Sequence, residues 1–410
     1  MSAPANTPRE TASRQDSDDT PPRYPGERSN YVDPQPVLLS GPPVSPLRFA
    51  GGSTGWLVTG FDEARAVLQD GRFSAERWRG DDTVRPVPRA IREAKGNGPG
   101  MFLTMDPPEH HRYRSLLTGY FTLRRMRALE PRIGAIVAQC LDAVEAAGRP
   151  ADLVEHFALP VPSLVICEML GVPYAERRVF QQASGRLLHQ HATDGEVGAA
   201  RATLDALLAD VVRVRRRAPQ EDLISLLVSD SDLDDAEIVG ISRLLLIAGH
   251  ETTTNMLSLG TFALLRHPDQ MRRLREDDSL VPGAVEELLR YLGIVNAFPV
   301  RVALEDVAVG DVLVRAGQSV AVSVPAVNRA PSLVDAPELL DVGRPRSNHL
   351  AFGYGIHQCL GQNLARIELA AGYRGLLDRF PGLRLAVPAG DVPMRSDMAV
   401  YGAYELPVTW

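Results

Sequence analysis

One cysteine in this sequence has neighbours that a merely buried thiol does not need. Phe352-Gly-Tyr-Gly-Ile-His-Gln-Cys359-Leu-Gly361 delivers it at the end of a glycine-loosened loop, with Arg366 shortly beyond. Gly353 and Gly355 allow backbone turns that other residues resist. From Leu364 and Leu369 apolar residues begin a helical pattern, which puts Cys359 at the mouth of a helix. Unpaired amide hydrogens and the positive end of the helix dipole favour a charged sulfur there. A place in the core is the usual fate of a free cysteine, but the Phe, the two glycines, the His and the Arg argue against it. A thiolate so presented suits the axial position of a haem iron, where its electron donation favours O–O cleavage.

Ala248-Gly-His-Glu-Thr252 is a second group able to do chemistry. Ala248 and Thr252 are four apart and share a helix face, with Glu251 on the adjoining part of it. His250 is rotated roughly 200° from Ala248 and points elsewhere. An alcohol beside a carboxylate orders water and passes protons to a reacting oxygen. The plainer reading is a hydroxyl bonded back to a helix carbonyl and a glutamate held in a salt bridge. His110 and Arg114 also lie four apart on one face, able to hold a pair of carboxylates or simply to meet solvent. Glu287 and Arg290, three apart, read as an ion pair that contributes little if it is exposed. Glu286 competes for the same arginine at a spacing of four.

Recognisable elements carry these groups. Asp234-Asp-Ala-Glu237 reads as a capping box, and the apolar run after it continues to Arg266 before His267-Pro268 stops it. That predicts a helix of about 30 residues, long for a globular protein and central to it. Gly249 thins its wall beside the reactive pair and permits a distortion or a close approach. Asp106 is expected to cap the helix that carries His110, with Pro107 and Pro108 in its first turn. A strand-like run at 56–59 leads into a helix over 61–68, and alternation over 293–325 predicts a small β-region. The stretch 73–100 reads as a long loop. Residues 131–227 are mostly helical, interrupted by a polar break at 185–197. His189 and His191 in that break are two apart and share no helix face, which disfavours a metal site. Arg213 with Arg215, Arg216 and Arg217 closes a helix, where cations suit the dipole.

The whole chain sets limits. Its 410 residues are 44% hydrophobic and carry a formal net charge of −7, enough for a large core and no case for nucleic acid. No segment approaches the roughly 20 apolar residues that a membrane span needs. The N-terminus lacks a signal-peptide pattern, so a cytoplasmic location is expected. Cys140, Cys167 and Cys359 are odd in number and far apart, against a disulfide framework. Cys140 and Cys167 fall in helical apolar patterns and read as core. Residues 1–32 are polar and rich in Pro, Ser, Asp and Arg; they are expected to be disordered, leaving 33–410 as one domain.

Phe352-Gly-x-Gly-x-His-x-Cys359-x-Gly361 resembles the haem-binding signature of the cytochrome P-450 superfamily. The likeness runs from about Trp56 to the C-terminus, in the manner of the soluble bacterial, class I, ferredoxin-dependent members. It implies a mainly α fold with a small β-region, a single-domain triangular prism of helices around haem b. It implies Cys359 as the metal ligand with Phe352 and Gly361 beside it, and His110, Arg114, Arg301 and His357 on the haem propionates. Ala248 lies in the oxygen-activation motif, where Thr252 and Glu251 deliver protons. Glu287 and Arg290 match a buried pair, with Arg344 as its third partner.

The implied activity is monooxygenation, hydroxylating or epoxidising a small organic molecule of natural-product biosynthesis. O2 and electrons from NAD(P)H through a ferredoxin and its reductase would serve a monomer, docked in part on Arg124 and Arg366. Oxidative coupling or desaturation uses the same chemistry, and a non-catalytic haem scaffold or sensor is a different class that does not need Glu251 and Thr252. Three positions depart from the pattern: Glu251 replaces the commoner Asp, 293–298 lacks a proline pair, and Ala330 stands where Asp is usual before Pro331.

Overall fold

Helices follow wherever apolar residues keep helical spacing, and they fill most of the chain. The computed structural model describes residues 28–49, 52–80, 96, 98–296 and 299–410. Its principal helices are α1 (Phe61–Gln69), α2 (Glu109–Thr118), α3 (Glu130–Ala147), α4 (Pro160–Leu170), α5 (Arg177–Leu188), α6 (Asp194–Arg217), α7 (Asp235–Arg266), α8 (Val281–Leu292) and α9 (Gln362–Arg379). Strands β1 (Val44–Arg48), β2 (Thr54–Val58), β3 (Phe73–Ser74), β4 (Val300–Ala303) and β5 (Ser319–Val322) form one sheet in the order β1-β2-β5-β4-β3. β2 and β5 pair in parallel, and the other neighbours are antiparallel. This is the mainly helical fold with a small β-region that the sequence predicts.

α7 is the axis of the helical part. Asp234 and Glu237 form the expected capping box, each side chain accepting from the other's N–H at 2.8 and 2.9 Å. Between Ile238 and Leu264 every residue is buried except Ile247, Ala248, Gly249 and Thr252, so the helix is uncovered in one place. Elsewhere it is tightly held. Leu257, Leu259 and Phe262 are fully buried, each contributing roughly 1.5–3 kcal/mol. The Tyr373 hydroxyl of α9 donates to the Met256 carbonyl, and a Cβ at Gly260 would collide with that hydroxyl. Arg112 and Tyr113 of α2 bond Glu237, which fixes α2 against the start of α7.

Two expectations are corrected. Asp106 does not cap α2: Pro108 occupies the cap position, without any side-chain cap. The Asp106 carboxylate accepts instead from the Ser74 hydroxyl and the Ala75 N–H, pinning β3 to the turn. Pro107 and Pro108 supply no N–H for a cap to bind, whereas the strand end does. Nor are residues 28–32 disordered. Val32 is buried, and Arg28 donates to the carbonyls of Val32, Leu292 and Gly293 and to Asn296 Oδ1. The carbonyls left open at the end of α8 give this polar segment a place to dock. Residues 1–27, most of the 73–100 loop and Phe298 lie outside the described residues.

Cys140 and Cys167 are buried in the helical core, and burial pushes both thiols up to about 12. Among the described residues no helix is long and apolar enough to cross a membrane.

Candidate active site

Cys359 stands at the entry to α9. The loop before it closes on itself: the Cys359 N–H donates to the Phe352 carbonyl at 2.8 Å and the Gln358 N–H to Gly355 at 3.0 Å. Gly353 and Gly355 have φ of +70° and +74°, the left-handed region that favours glycine. A Cβ at Gly355 would also meet the Leu68 carbonyl of α1 at 2.5 Å. Arg114 of α2 grips the loop from outside through the Gln358 carbonyl at 2.7 Å. Burial pushes the Cys359 thiol up, while the Gly361 N–H and the charges of Arg114 and Arg366 pull it down. A Cβ on Gly361 would touch no protein atom within 4 Å.

Four donors gather at this loop. The rings of His110 on α2 and His357 lie 4.3 Å apart between centroids. The charges of Arg114 and of Arg301 on β4 reach both of them. His110 is buried with neither ring nitrogen hydrogen-bonded, and the buried Arg301 guanidinium donates to its neighbour, the Val300 carbonyl. Burial, aided by Arg114, holds His110 down at about 4; burial, aided by Arg301, holds His357 at about 3; burial alone takes Arg301 to about 10. Asp106 is the carboxylate whose charge reaches His110 and Arg301, but Ser74 and Ala75 occupy it. Buried donors and cations without their own acid answer to an anionic partner with several oxygens. The propionates of haem are such a partner, so the residues present fit the group.

On α7 the uncovered residues Ala248, Gly249 and Thr252 fall in the stretch expected to activate oxygen, while His250 and Glu251 are buried. The Thr252 hydroxyl donates to the Ala248 carbonyl at 2.8 Å, and buried Glu251 accepts from Arg395 Nη2 at 3.1 Å. The plainer arrangement anticipated from sequence is therefore present, yet the Thr252 oxygen keeps lone pairs for whatever enters the opening. Arg395 also reaches Asn255 Oδ1 at 3.3 Å. Sequence reasoning missed Arg395, because its partner is 144 residues away and its segment has no regular pattern. His250 points into the core, edge-to-face on Phe180 of α5 at 5.3 Å. In the break after α5, His189 Nε2 lies 3.1 Å from Asp397.

Known proteins with this arrangement decide which chemistry it serves. Residues 187–398 match the family model described as cytochrome P-450. The chain is 48% identical to cytochrome P-450 105C1 of a Streptomyces species, over 93% of this chain and 97% of that one. It is 44% identical to pentalenic acid synthase of Streptomyces avermitilis, over 95% and 98%. Its fold matches the crystal structure of CYP105P1 in complex with filipin I with a TM-score of 0.90 at 42% identity, over 96% and 99%. The chain belongs to the cytochrome P-450 family. Like its relatives, this cytochrome P-450 is a haem b monooxygenase that uses O2, a small organic substrate and redox partners.

Adjacent carboxylates on α8 brace the cysteine loop of this cytochrome P-450. Glu287 takes Arg290 Nε and Nη2 at 2.7 and 2.8 Å, the Asp341 N–H at 3.0 Å and Arg344 Nε at 3.1 Å. Arg290 spends its remaining donors on the carbonyls of Asn328, Pro337 and Leu339, and Asn328 Oδ1 accepts from the Leu350 N–H at 2.7 Å. Glu286 does not compete for Arg290. It takes Arg366 at 2.6 Å and faces His349 Nε2 at 3.3 Å. The Arg366 guanidinium, expected on a docking face, serves Glu286 and covers the Phe352 ring at 4.5 Å. A carboxylate already buried on α8 outcompetes solvent for that guanidinium. Arg124 is exposed.

Proposed function

We propose that Cys359 is the axial thiolate of the haem, that His110, Arg114, Arg301 and His357 hold its propionates, and that Phe352, Gly361 and Ala248 line its faces. The observation that carries this is the cluster of donors beside the cysteine loop, with His110 and Arg301 buried, Arg114 and His357 half-buried, and no acid bonded to any of them. When bound, the haem supplies the iron at which O2 is activated. The chain's own residues then manage protons. Thr252 Oγ1, anchored on the Ala248 carbonyl, accepts a hydrogen bond from water in the opening of α7. Glu251 Oε2 is fixed by Arg395, which leaves Oε1 as the oxygen that takes and releases a proton. Glu287, Arg290 and Arg344 hold the cysteine loop in place.

The substrate is a mid-sized, partly polar natural product or its precursor, hydroxylated or epoxidised in secondary metabolism. The similarity to pentalenic acid synthase supports that class. Electrons come from NAD(P)H through a ferredoxin and its reductase in the cytoplasm, and the unpaired core thiols Cys140 and Cys167 support a reducing compartment. The test is the absorption spectrum of the reduced protein under carbon monoxide, for wild type and Cys359→Ala. A strongly red-shifted haem band that the substitution abolishes is expected. Wild-type protein without that band has no thiolate ligand, and the proposal fails.

A further inference from the structure

His250 is fully buried in the middle of α7, and the chemistry above makes no use of it. Its Nδ1 lies 2.6 Å from the Leu246 carbonyl oxygen. A carbonyl only accepts, so Nδ1 carries the ring proton. Burial, opposed by Glu251 and the Leu246 carbonyl and aided by Arg395, keeps the imidazole below its ordinary pKa and therefore neutral. Nε2 then presents a bare lone pair. No hydrogen-bond donor meets it, and it faces Glu251 Oε1 at 3.8 Å.

The two forms of Glu251 meet this lone pair differently. An ionised Oε1 is repelled by it and leaves Nε2 unsatisfied in the core. A protonated Oε1–H can satisfy it once a side-chain shift of less than about 1 Å closes the 3.8 Å gap. On the other side of the carboxyl, Arg395 Nη2 donates to Oε2 at 3.1 Å. The remaining charged and titratable groups facing the pair belong to the Arg395 segment: Tyr404, and Asp397 hydrogen-bonded to it. From α5 the imidazole meets Phe180, and from α4 Ile166 lies against Gly249.

We propose that His250 is a positioning residue, the hydrogen-bond acceptor that holds Glu251 Oε1 when that carboxyl carries a proton. The proposal rests on Glu251 being part of the proton-delivering pair described above. No proton passes between the two residues: while the hydrogen bond is made, Glu251 keeps Oε1–H and His250 keeps Nδ1–H.

Infrared difference titration of the ferrous carbonyl holoenzyme reads this directly. The protonated carboxyl band of Glu251 is assigned by its loss in Glu251→Gln. His250→Phe is expected to lower the midpoint of that band by about one pH unit, the weight of one hydrogen bond to a buried group. Arg395→Met should raise it. An unchanged midpoint in His250→Phe overturns the proposal, and so does the absence of any Glu251 band in wild type. The nitrogen resonance of His250 Nε2 in the wild type needs no substitution. It moves with the same midpoint if Glu251 donates to it, and a flat response across the titration overturns the assignment. A failure of thiolate ligation registers in the carbon monoxide spectrum, whatever the Glu251 band does.

Discussion

A cation buried without an acid weakens the folded protein unless something else neutralises it. Arg301 is in that position, so its removal should act in opposite directions on the two forms of the protein. Arg301→Met is expected to raise the thermal midpoint of the haem-free protein. It should also speed haem transfer to an acceptor protein by about tenfold, the value of one charge-assisted hydrogen bond. Both histidines of the cluster make a matching prediction in pH. Their folded pKa values, about 4 for His110 and about 3 for His357, lie below the ordinary 6.5. The unfolded chain therefore takes up their protons first. Their contribution is intact above 6.5 and is lost as pH falls through 4 and 3, in the haem-free protein. Carboxylates beside them would raise both pKa values, so holoenzyme should lose less stability over that range in urea titrations. Of these four donors, spacing in the sequence marked only His110 with Arg114 as a pair on one helix face, whereas Arg301 and His357 were expected from the family resemblance alone. Arg395 and His349 were marked by neither, since their partners come from other parts of the chain.

At the scale of elements, α8 presents two neighbouring carboxylates to two different parts of the protein. Glu287 faces the segment before the cysteine loop, and Glu286 faces α9. Burial works against the charge on Glu286, but hydrogen bonds from His349 and Arg366 outweigh it and hold its pKa at about 2. Because that lies below the unfolded value of 4.5, the stabilisation is fully present above 4.5 and disappears as pH falls toward 2. It amounts to roughly 3 kcal/mol. Glu286→Gln should flatten the acid limb of unfolding over that interval, followed by the haem absorbance of the holoenzyme. The pattern of elements was largely readable. α7 announced itself by its capping box and long apolar run, and the helix over 61–69 by its periodicity. β1 escaped notice because Pro46 interrupts its pattern, which an edge strand tolerates. The supposed cap of α2 failed because two prolines removed the amides it needed.

Across the whole molecule, Arg28 joins three distant parts of the chain. It bonds the end of α8 and Asn296, and stacks over the Tyr401 ring at 4.3 Å. Those two regions are themselves zipped together, Tyr401 N–H to the Ile294 carbonyl at 2.8 Å and Asn296 N–H to Ala399 at 3.1 Å. Arg28→Ala should therefore cost roughly 2–3 kcal/mol of stability, for several hydrogen bonds lost at once. Urea unfolding of wild type and variant, followed by the haem absorbance, reads the loss.

Arg290 has a consequence of another kind. It holds residues 328–339 by their carbonyl oxygens, and Arg344 does the same at Asp335 and Ala336. Neither guanidinium inspects a side chain there, and most side chains between 331 and 339 face outward. The stretch is thus fixed in shape mainly through its backbone: Ser332, Asp335 and Glu338 face outward, while Ala330 and Leu333 pack on the core. It offers a rigid platform on which new side chains, a fluorophore or a tethering cysteine, can be written without disturbing the fold beneath.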